Sequence, residues 1–184
     1  MYRVVLCVCA MFAACSLADA AQRIVTKEGA TYVVPSGSPV KFRSNDEWTT
    51  VVFDGQFAAR GAYAILYLGD PAQNCEICSA PWSAVFTPDR KLASRLPHWS
   101  REPIREIEFE NADAFIHAVL TEDMITQLKS GAVSSVSGRA TIRVDGFRGQ
   151  IDCDHAGYTV RFVGVESNTD VRTARTNSPG DQGC

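Results

Sequence analysis

The chain has 184 residues and a formal net charge of −3, from 18 Lys and Arg residues against 21 Asp and Glu residues. Hydrophobic residues make up 46% and charged residues 21%, a globular composition that excludes a disordered or fibrous chain. The length suits one domain with a single core, and the balanced charge argues against nucleic acid as the partner.

The first twenty residues follow the pattern of a secretory signal peptide. Arg3 supplies a positive charge, residues 4–14 contain no charged residue, Pro or Gly, and Ala18–Ala20 places small residues before a cleavage site. A transmembrane helix needs about 20 apolar residues, which neither this run nor any later stretch provides. We therefore expect cleavage after Ala20, a periplasmic or extracellular protein, and no transmembrane segment in the mature chain.

Cys15 offers an alternative destination. It follows Phe12, Ala13 and Ala14, and the two alanines fit a lipobox although Phe12 replaces the usual Leu. Acylation of Cys15 would make the protein an envelope-anchored lipoprotein rather than a released one.

The mature chain is predicted to begin with an N-terminal arm or edge hairpin over residues 21–47. Two short β-like runs, Arg23–Thr26 and Thr31–Val34, lie there among Thr, Ser, Gly and Pro residues. A single α+β domain then covers residues 48–166, and residues 167–184 are predicted to be a flexible tail because their apolar content is low.

Strands open the domain and helices follow them. A long β signal runs from Trp48 to Leu68, in which Gly55 and Gly61 mark a bulge or a sharp bend. Two shorter strands are predicted at Ser83–Phe86 and Ile104–Phe109.

Three helix starts are marked by capping residues. Thr87 stands before Pro88 and Asp89, as an N-cap stands before a Pro at the first helical position. The two later helices are predicted at Ala112–Leu120, capped by Asn111, and at Glu122–Lys129, capped by Thr121.

The end of the domain reads as a three-strand antiparallel meander. Alternating apolar residues predict strands at Val136–Asp145, Gln150–Asp154 and Tyr158–Val165, with Gly146 and Gly149 flanking the first turn. Strands at both ends with helices between them indicate an α+β fold with mostly antiparallel strands. We predict a small OB-like or related barrel or sheet, with two or three short helices inserted before the C-terminal meander.

Four cysteines remain after cleavage: Cys75, Cys78, Cys153 and Cys184. An even number in an exported chain predicts two disulfides, with three possible connectivities. Because Cys153 is predicted in a strand, we expect it to pair with Cys75 or Cys78 and to fix their loop to the domain. Cys184 would then be free or hold the tail.

A zinc site is the alternative use of these cysteines. The spacing of Cys75 and Cys78 brings two thiolates to one metal, and Cys153 with His155 would complete a Cys₃His set for a zinc-dependent hydrolase. Disulfides are favoured because exported thiols oxidise. No catalytic motif occurs elsewhere in the chain, so no catalytic residue and no cofactor are predicted.

The charged and aromatic residues suggest a surface for recognition. Residues 102–123 hold seven carboxylates against one arginine, which indicates an acidic flank or a solvated outer face. A candidate recognition patch contains His98, Trp99, Arg101, Arg139 and Arg143. We therefore predict an exported, disulfide-stabilised binding or accessory domain whose partner is another exported protein or a glycan.

Overall fold

A computed structural model describes residues 21–45, 49–69 and 81–175 of the chain. These residues are mostly in β-strands, and three short helices interrupt them. The strands are β1 (Gln22–Val25), β2 (Thr31–Val34), β3 (Lys41–Asn45), β4 (Val51–Asp54), β5 (Phe57–Tyr67), β6 (Trp82–Pro88), β7 (His98–Trp99), β8 (Ile107–Phe109), β9 (Val133–Asp152) and β10 (His155–Arg175). The helices are α1 (Arg90–Ala93), α2 (Ala112–Val119) and α3 (Glu122–Lys129).

Five of the strands pair in a closed ring. β5 pairs with β6, β6 with β8, β8 with β10, β10 with β9, and β9 returns to β5. Every pairing in the ring is antiparallel except that of β8 with β10. The helices α2 and α3 lie in the chain between β8 and β9. The prediction of a mostly antiparallel β fold with short helices is confirmed.

Strict alternation of the side chains places the core inside this ring. Along β5, the buried residues Phe57, Ala59, Tyr63 and Ile65 lie on one face, and Ala58, Arg60, Ala62 and Ala64 lie on the outward face. Helix α2 covers one side of the ring and inserts Phe115, whose ring stacks on Phe109 at 4.1 Å between centroids.

A smaller sheet of β1, β2 and β7 packs beside the ring. Tyr32 of β2 is fully buried, and its ring lies over Gly149 of β9 so closely that a Cβ there would come within 2.7 Å of it. The backbone N–H of Trp99 in β7 donates a hydrogen bond to the hydroxyl of Tyr158 in β10 at 2.8 Å. These two contacts join the smaller sheet to the ring.

The predicted C-terminal meander is wrong in its number of strands. β9 runs without interruption for 20 residues, so the two strands predicted on either side of Gly146 are one. Gly146 has a left-handed φ of 62°. Asp145 pairs with Arg161 and Arg148 pairs with Thr159, so the two residues between them on β9, Gly146 and Phe147, lie opposite a single residue of β10, Val160. This extra residue is a β-bulge, which bends a strand without ending it.

β10 extends beyond the predicted boundary of the tail. Residues 167–175, which the sequence assigned to the tail, continue β10 and pair with β9 from Thr141 to Val133. The partner strand supplies the backbone hydrogen bonds, so this segment forms a strand despite its low apolar content. Residues 176–184 lie outside the described residues.

The helix caps differ in two cases from the prediction. Asn111 stands at the N-cap position of α2, but its side chain makes no capping hydrogen bond because it bonds to the backbone of Phe162. Thr87 and Pro88 belong to β6, and Asp89 is the N-cap, accepting a hydrogen bond from the N–H of Leu92 at 2.8 Å. β6 continues to Pro88 because that residue is still paired with Gly61 of β5. Thr121 caps α3 as predicted.

Candidate functional site

Several candidate residues fall outside the described part of the chain. These are Cys15, Cys75, Cys78 and Cys184. The disulfides of these cysteines and a lipid on Cys15 therefore stay predictions. The same holds for Cys75 and Cys78 as zinc ligands.

Cys153 lies in a tight turn rather than in a strand. β9 ends at Asp152, which pairs with His155 at the start of β10, so Cys153 and Asp154 form a two-residue hairpin turn. Cys153 is exposed and has a left-handed φ of 55°. The strand prediction failed because the sequence does not show where the two long strands meet.

The strand register gives the distance along the sheet between Cys153 and Trp82, the first residue of β6. Thr159 of β10 is aligned with Glu108 of β8, which is aligned with Val85 of β6. Cys153 lies six residues before Thr159, and Trp82 lies three residues before Val85. Because β6 runs antiparallel to β8 and β10, these two offsets point in opposite directions along the sheet and add up. Nine residues of strand correspond to about 30 Å at about 3.3 Å per residue.

This distance bears on the expected disulfide. Cys78 precedes Trp82 by four residues, so the chain between them spans at most about 14 Å. Disulfide-bonded cysteines have Cα atoms about 6 Å apart. The register therefore argues against a bond between Cys153 and Cys78.

The imidazole of His155 makes an exposed contact with its neighbour. Its Nε2 lies 3.3 Å from the carboxylate of Asp154, and both side chains are more than 80% exposed. Such exposed contacts contribute little to stability. Within the described residues, no group of three His, Cys, Asp or Glu side chains is placed to hold a metal ion.

The predicted recognition patch is divided between two sheets. His98 and Trp99 form β7 in the smaller sheet, and the guanidinium of Arg101 lies 5.5 Å from the centre of the Trp99 ring. Trp99 itself is buried. Arg139 and Arg143 face outward on β9, where it pairs with β5. The structure therefore does not assemble these five residues into one patch.

A continuous trough crosses the outer face of β8, β10, β9 and β4. It consists of three neighbouring cavities of about 330, 480 and 410 Å³. The first two share Glu108 and Gly157, and the last two share Arg148. We call this surface the trough.

The register of the strands explains the shape of the trough. Glu108, Thr159, Arg148 and Val52 form one outward row across the four strands. Gly157, which has no side chain, lies next to this row on β10. The long side chains of Glu108 and Arg148 therefore form walls on either side of a low floor.

One end of the trough is electrically balanced. Arg161 donates two hydrogen bonds to the carboxylate of Asp145, at 2.8 and 2.9 Å, and Arg148 lies 3.2 Å from Glu110. The hydrogen bonds from Arg161 lower the pKa of Asp145 and those to Asp145 raise the pKa of Arg161. Arg43 pairs with Asp54 at 3.5 Å in the same region. The arginines here are therefore already neutralised.

The rest of the trough carries uncompensated negative charge. Glu102 and Arg105 also line it and form a loose ion pair with each other at 3.9 Å. The carboxylates of Glu106, Glu108 and Asp152 remain, and none of them has an ion pair or hydrogen bond with another described residue. Gln150 and Thr159 add an amide and a hydroxyl group. This arrangement suits a ligand that is positively charged and can donate hydrogen bonds.

Sequence reasoning found only part of this surface. A strand was predicted at Ile104–Phe109, and alternate residues of a strand share a face, which fits the exposed positions of Glu106 and Glu108. Asp152 is more than forty residues away and reaches the same surface through the pairing of β8 with β10, for which the sequence contains no local signal.

The chain matches no protein-family model, no curated protein and no solved structure. Among the described residues, none of the helices has the length and apolar character needed to span a membrane.

Proposed function

We propose that this protein is an exported binding domain that holds a positively charged segment of another exported protein in the trough. The observation that carries the proposal is the set of three uncompensated carboxylates, Glu106, Glu108 and Asp152, in one concave surface. The signal-peptide pattern of residues 1–20 supports export.

The ring of strands supports an OB-like barrel for this domain. Numbered along the chain, its five strands follow the order 1-2-3-5-4 before returning to the first, with the helices α2 and α3 between the third and the fourth. A five-stranded Greek-key barrel that binds extended ligands on its outer sheet surface is the OB type. The trough includes the third strand of the ring, β8.

A protein segment fits the trough better than a neutral glycan does. Four adjacent strands span about 14 Å between their axes, which is the length of about four residues of extended chain. Lys or Arg side chains on such a segment would neutralise the three carboxylates, and charge complementarity of this kind directs both encounter and specificity.

We also propose that a disulfide joins Cys184 to Cys75 or Cys78 and leaves Cys153 out. Arg175, the last described residue before Cys184, pairs with Val133 at the end of β9 that lies beside the C-terminal end of β5, and Cys75 and Cys78 follow β5 in the sequence. Cys153 is at the other end of the β9–β10 hairpin. Peptide mapping without reduction should recover the Cys153 peptide without a linked partner, and a cross-link from Cys153 to Cys75, Cys78 or Cys184 would contradict this.

The binding proposal is tested with a fluorescent hexalysine peptide and fluorescence anisotropy. The triple variant Glu106→Gln, Glu108→Gln, Asp152→Asn should weaken binding by about tenfold or more, and added salt should weaken binding to the wild-type chain. The control variant Glu28→Gln, Asp113→Asn, Glu122→Gln removes the same charge from exposed positions elsewhere and should change binding less than about twofold. Equal binding by both variants, or tight binding of a neutral oligosaccharide instead, would overturn the proposal.

A further inference from the structure

Three arginines form a cluster on the outer face of β5 and β9, away from the trough. Arg60 is aligned with Thr141 of β9, between the neighbouring pairs Ala58–Arg143 and Ala62–Arg139. Aligned residues of antiparallel strands share a face, so Arg60 is the diagonal neighbour of both Arg139 and Arg143, about 7–8 Å from each. Arg139 and Arg143 are about 13 Å apart along β9.

The positive charge of this cluster is only partly balanced. Arg60 and Arg139 have no ion pair with any described residue, and Arg143 has only the loose contact of its Nε with Glu166 at 3.9 Å. Of the other charged residues that face the cluster from β10, Arg172 adds positive charge and Asp170 adds negative charge. Asp89, whose backbone N–H donates a hydrogen bond to the carbonyl of Arg60 at 2.8 Å, adds a carboxylate next to Arg60. With Arg172, four guanidinium groups therefore face three carboxylates.

The surface around the arginines is low and ends in exposed apolar side chains. Ala58, Ala62 and Ala64 occupy the outward positions of β5 beside them. Leu66, the next outward residue of β5, is 38% exposed, and Val163, in a bulge of β10 next to Arg143, is 41% exposed. An arginine cluster with an apolar side chain at each end matches the arrangement of charge and apolar groups at a membrane surface.

We propose that this face docks on an anionic phospholipid bilayer. The guanidinium groups lie at the level of the lipid phosphates, and Leu66 and Val163 enter the boundary between headgroups and acyl chains. A soluble polyanion would be attracted by the arginines alone, but it would leave both apolar side chains in water. An anionic bilayer contacts both the arginines and the two apolar side chains. Docking by this face leaves the trough accessible to its ligand.

The test uses the mature chain expected after cleavage at Ala20, which lacks Cys15 and any lipid on it. Co-sedimentation with phosphatidylcholine vesicles containing phosphatidylglycerol should show binding that added salt weakens, and pure phosphatidylcholine vesicles should bind far less. Arg60→Gln, Arg139→Gln, Arg143→Gln together should weaken binding by about tenfold or more, and Leu66→Ser should weaken it without changing the charge.

A matched control separates this face from the net charge. Arg23→Gln, Lys27→Gln, Lys41→Gln removes the same charge from other exposed positions and should leave vesicle binding nearly unchanged. Absence of binding to anionic vesicles, an equal loss in both triple variants, or binding to dextran sulfate but not to vesicles would overturn the proposal. The hexalysine assay should be unaffected by the variants of this face, so failure of the bilayer proposal and failure of the trough proposal are distinguishable.

Discussion

Gly138 and Gly149 each lie beneath a tyrosine ring. A Cβ at Gly138 would come within 2.5 Å of the hydroxyl of Tyr63, and that hydroxyl donates a hydrogen bond to Oδ1 of Asn168 at 3.0 Å. The side-chain amide of Asn168 in turn donates to the carbonyl of Val119 at 2.8 Å. The missing side chain at Gly138 therefore allows a chain of hydrogen bonds that ties β5 to β10 and to α2.

Gly149→Ala tests the same principle where the smaller sheet joins the ring. The new methyl group would meet Tyr32 at 2.7 Å, and because Tyr32 is fully buried, its ring cannot move aside freely. We expect a loss of about 2 kcal/mol in the free energy of unfolding, measured by urea denaturation. Gly157→Ala is the control, since its nearest neighbour is 3.9 Å away, and it should cost less than about 0.5 kcal/mol. Equal costs for the two variants would contradict this account.

Tyr158 should make the stability fall at alkaline pH. Burial raises its pKa from the ordinary 10.0 to about 12. Because the folded pKa is the higher one, the stabilisation by the neutral phenol is complete below pH 10.0 and is lost as the pH rises through about 12. The Tyr158→Phe variant should lose less stability at alkaline pH than the wild-type chain does. Burial also raises the pKa of Tyr63, so part of the alkaline loss should remain in this variant.

The measurement is the free energy of unfolding as a function of pH. At neutral pH, Tyr158→Phe should cost about 1–3 kcal/mol, since the buried N–H of Trp99 loses its acceptor. Tyr67→Phe is the control, because the hydroxyl of Tyr67 makes no hydrogen bond with a described residue. The same alkaline slope in Tyr158→Phe and in the wild-type chain would show that Tyr158 is not responsible.

At the scale of the elements, the bulge at Gly146 divides β9 into two halves with different neighbours. Residues 136–144 pair with β5, whereas Val51 and Val52 of β4 pair with Gly149 and Arg148. Arg139 and Arg143 therefore lie beside β5 on the outer surface, and Arg148 lines the trough. The bulge therefore separates Arg148 from the two arginines that the sequence analysis placed in the recognition patch.

Gly146→Ala should weaken this bulge. A residue with a side chain at a φ of 62° costs about 1–2 kcal/mol relative to glycine, because its Cβ approaches the following carbonyl group. We expect a loss of that size in urea denaturation, again against Gly157→Ala. A neutral effect of Gly146→Ala would mean that the strand does not need the left-handed backbone at this position.

The elements differ in how far the sequence predicts them. α3 was predicted at its observed bounds because Thr121 and the apolar spacing of Ile125 and Leu128 are local signals. The role of Gly146 depends on Val160 of the partner strand, so the sequence alone could not distinguish a turn from a bulge. The N-cap of α1 was missed for a similar reason, since pairing with β5 holds Thr87 in a strand.

The whole molecule carries two oppositely charged surfaces on one ring of strands. The trough lies over β8, β10, β4 and the second half of β9, and the arginine cluster lies over β5 and the first half of β9. Composition gives a net charge of only −3 and does not reveal this separation. It arises from the closure of the ring, which joins residues that are far apart in the chain.

The most direct test of the account maps the binding site of a basic peptide by NMR. A titration of the ¹⁵N-labelled mature chain with hexalysine should shift the backbone amide signals of residues 106–108 and 150–159. The signals of α2, α3 and the arginine cluster on β5 should stay in place. Shifts that cluster outside the trough, or no shifts at all at low salt, would contradict the assignment of the trough as the binding site.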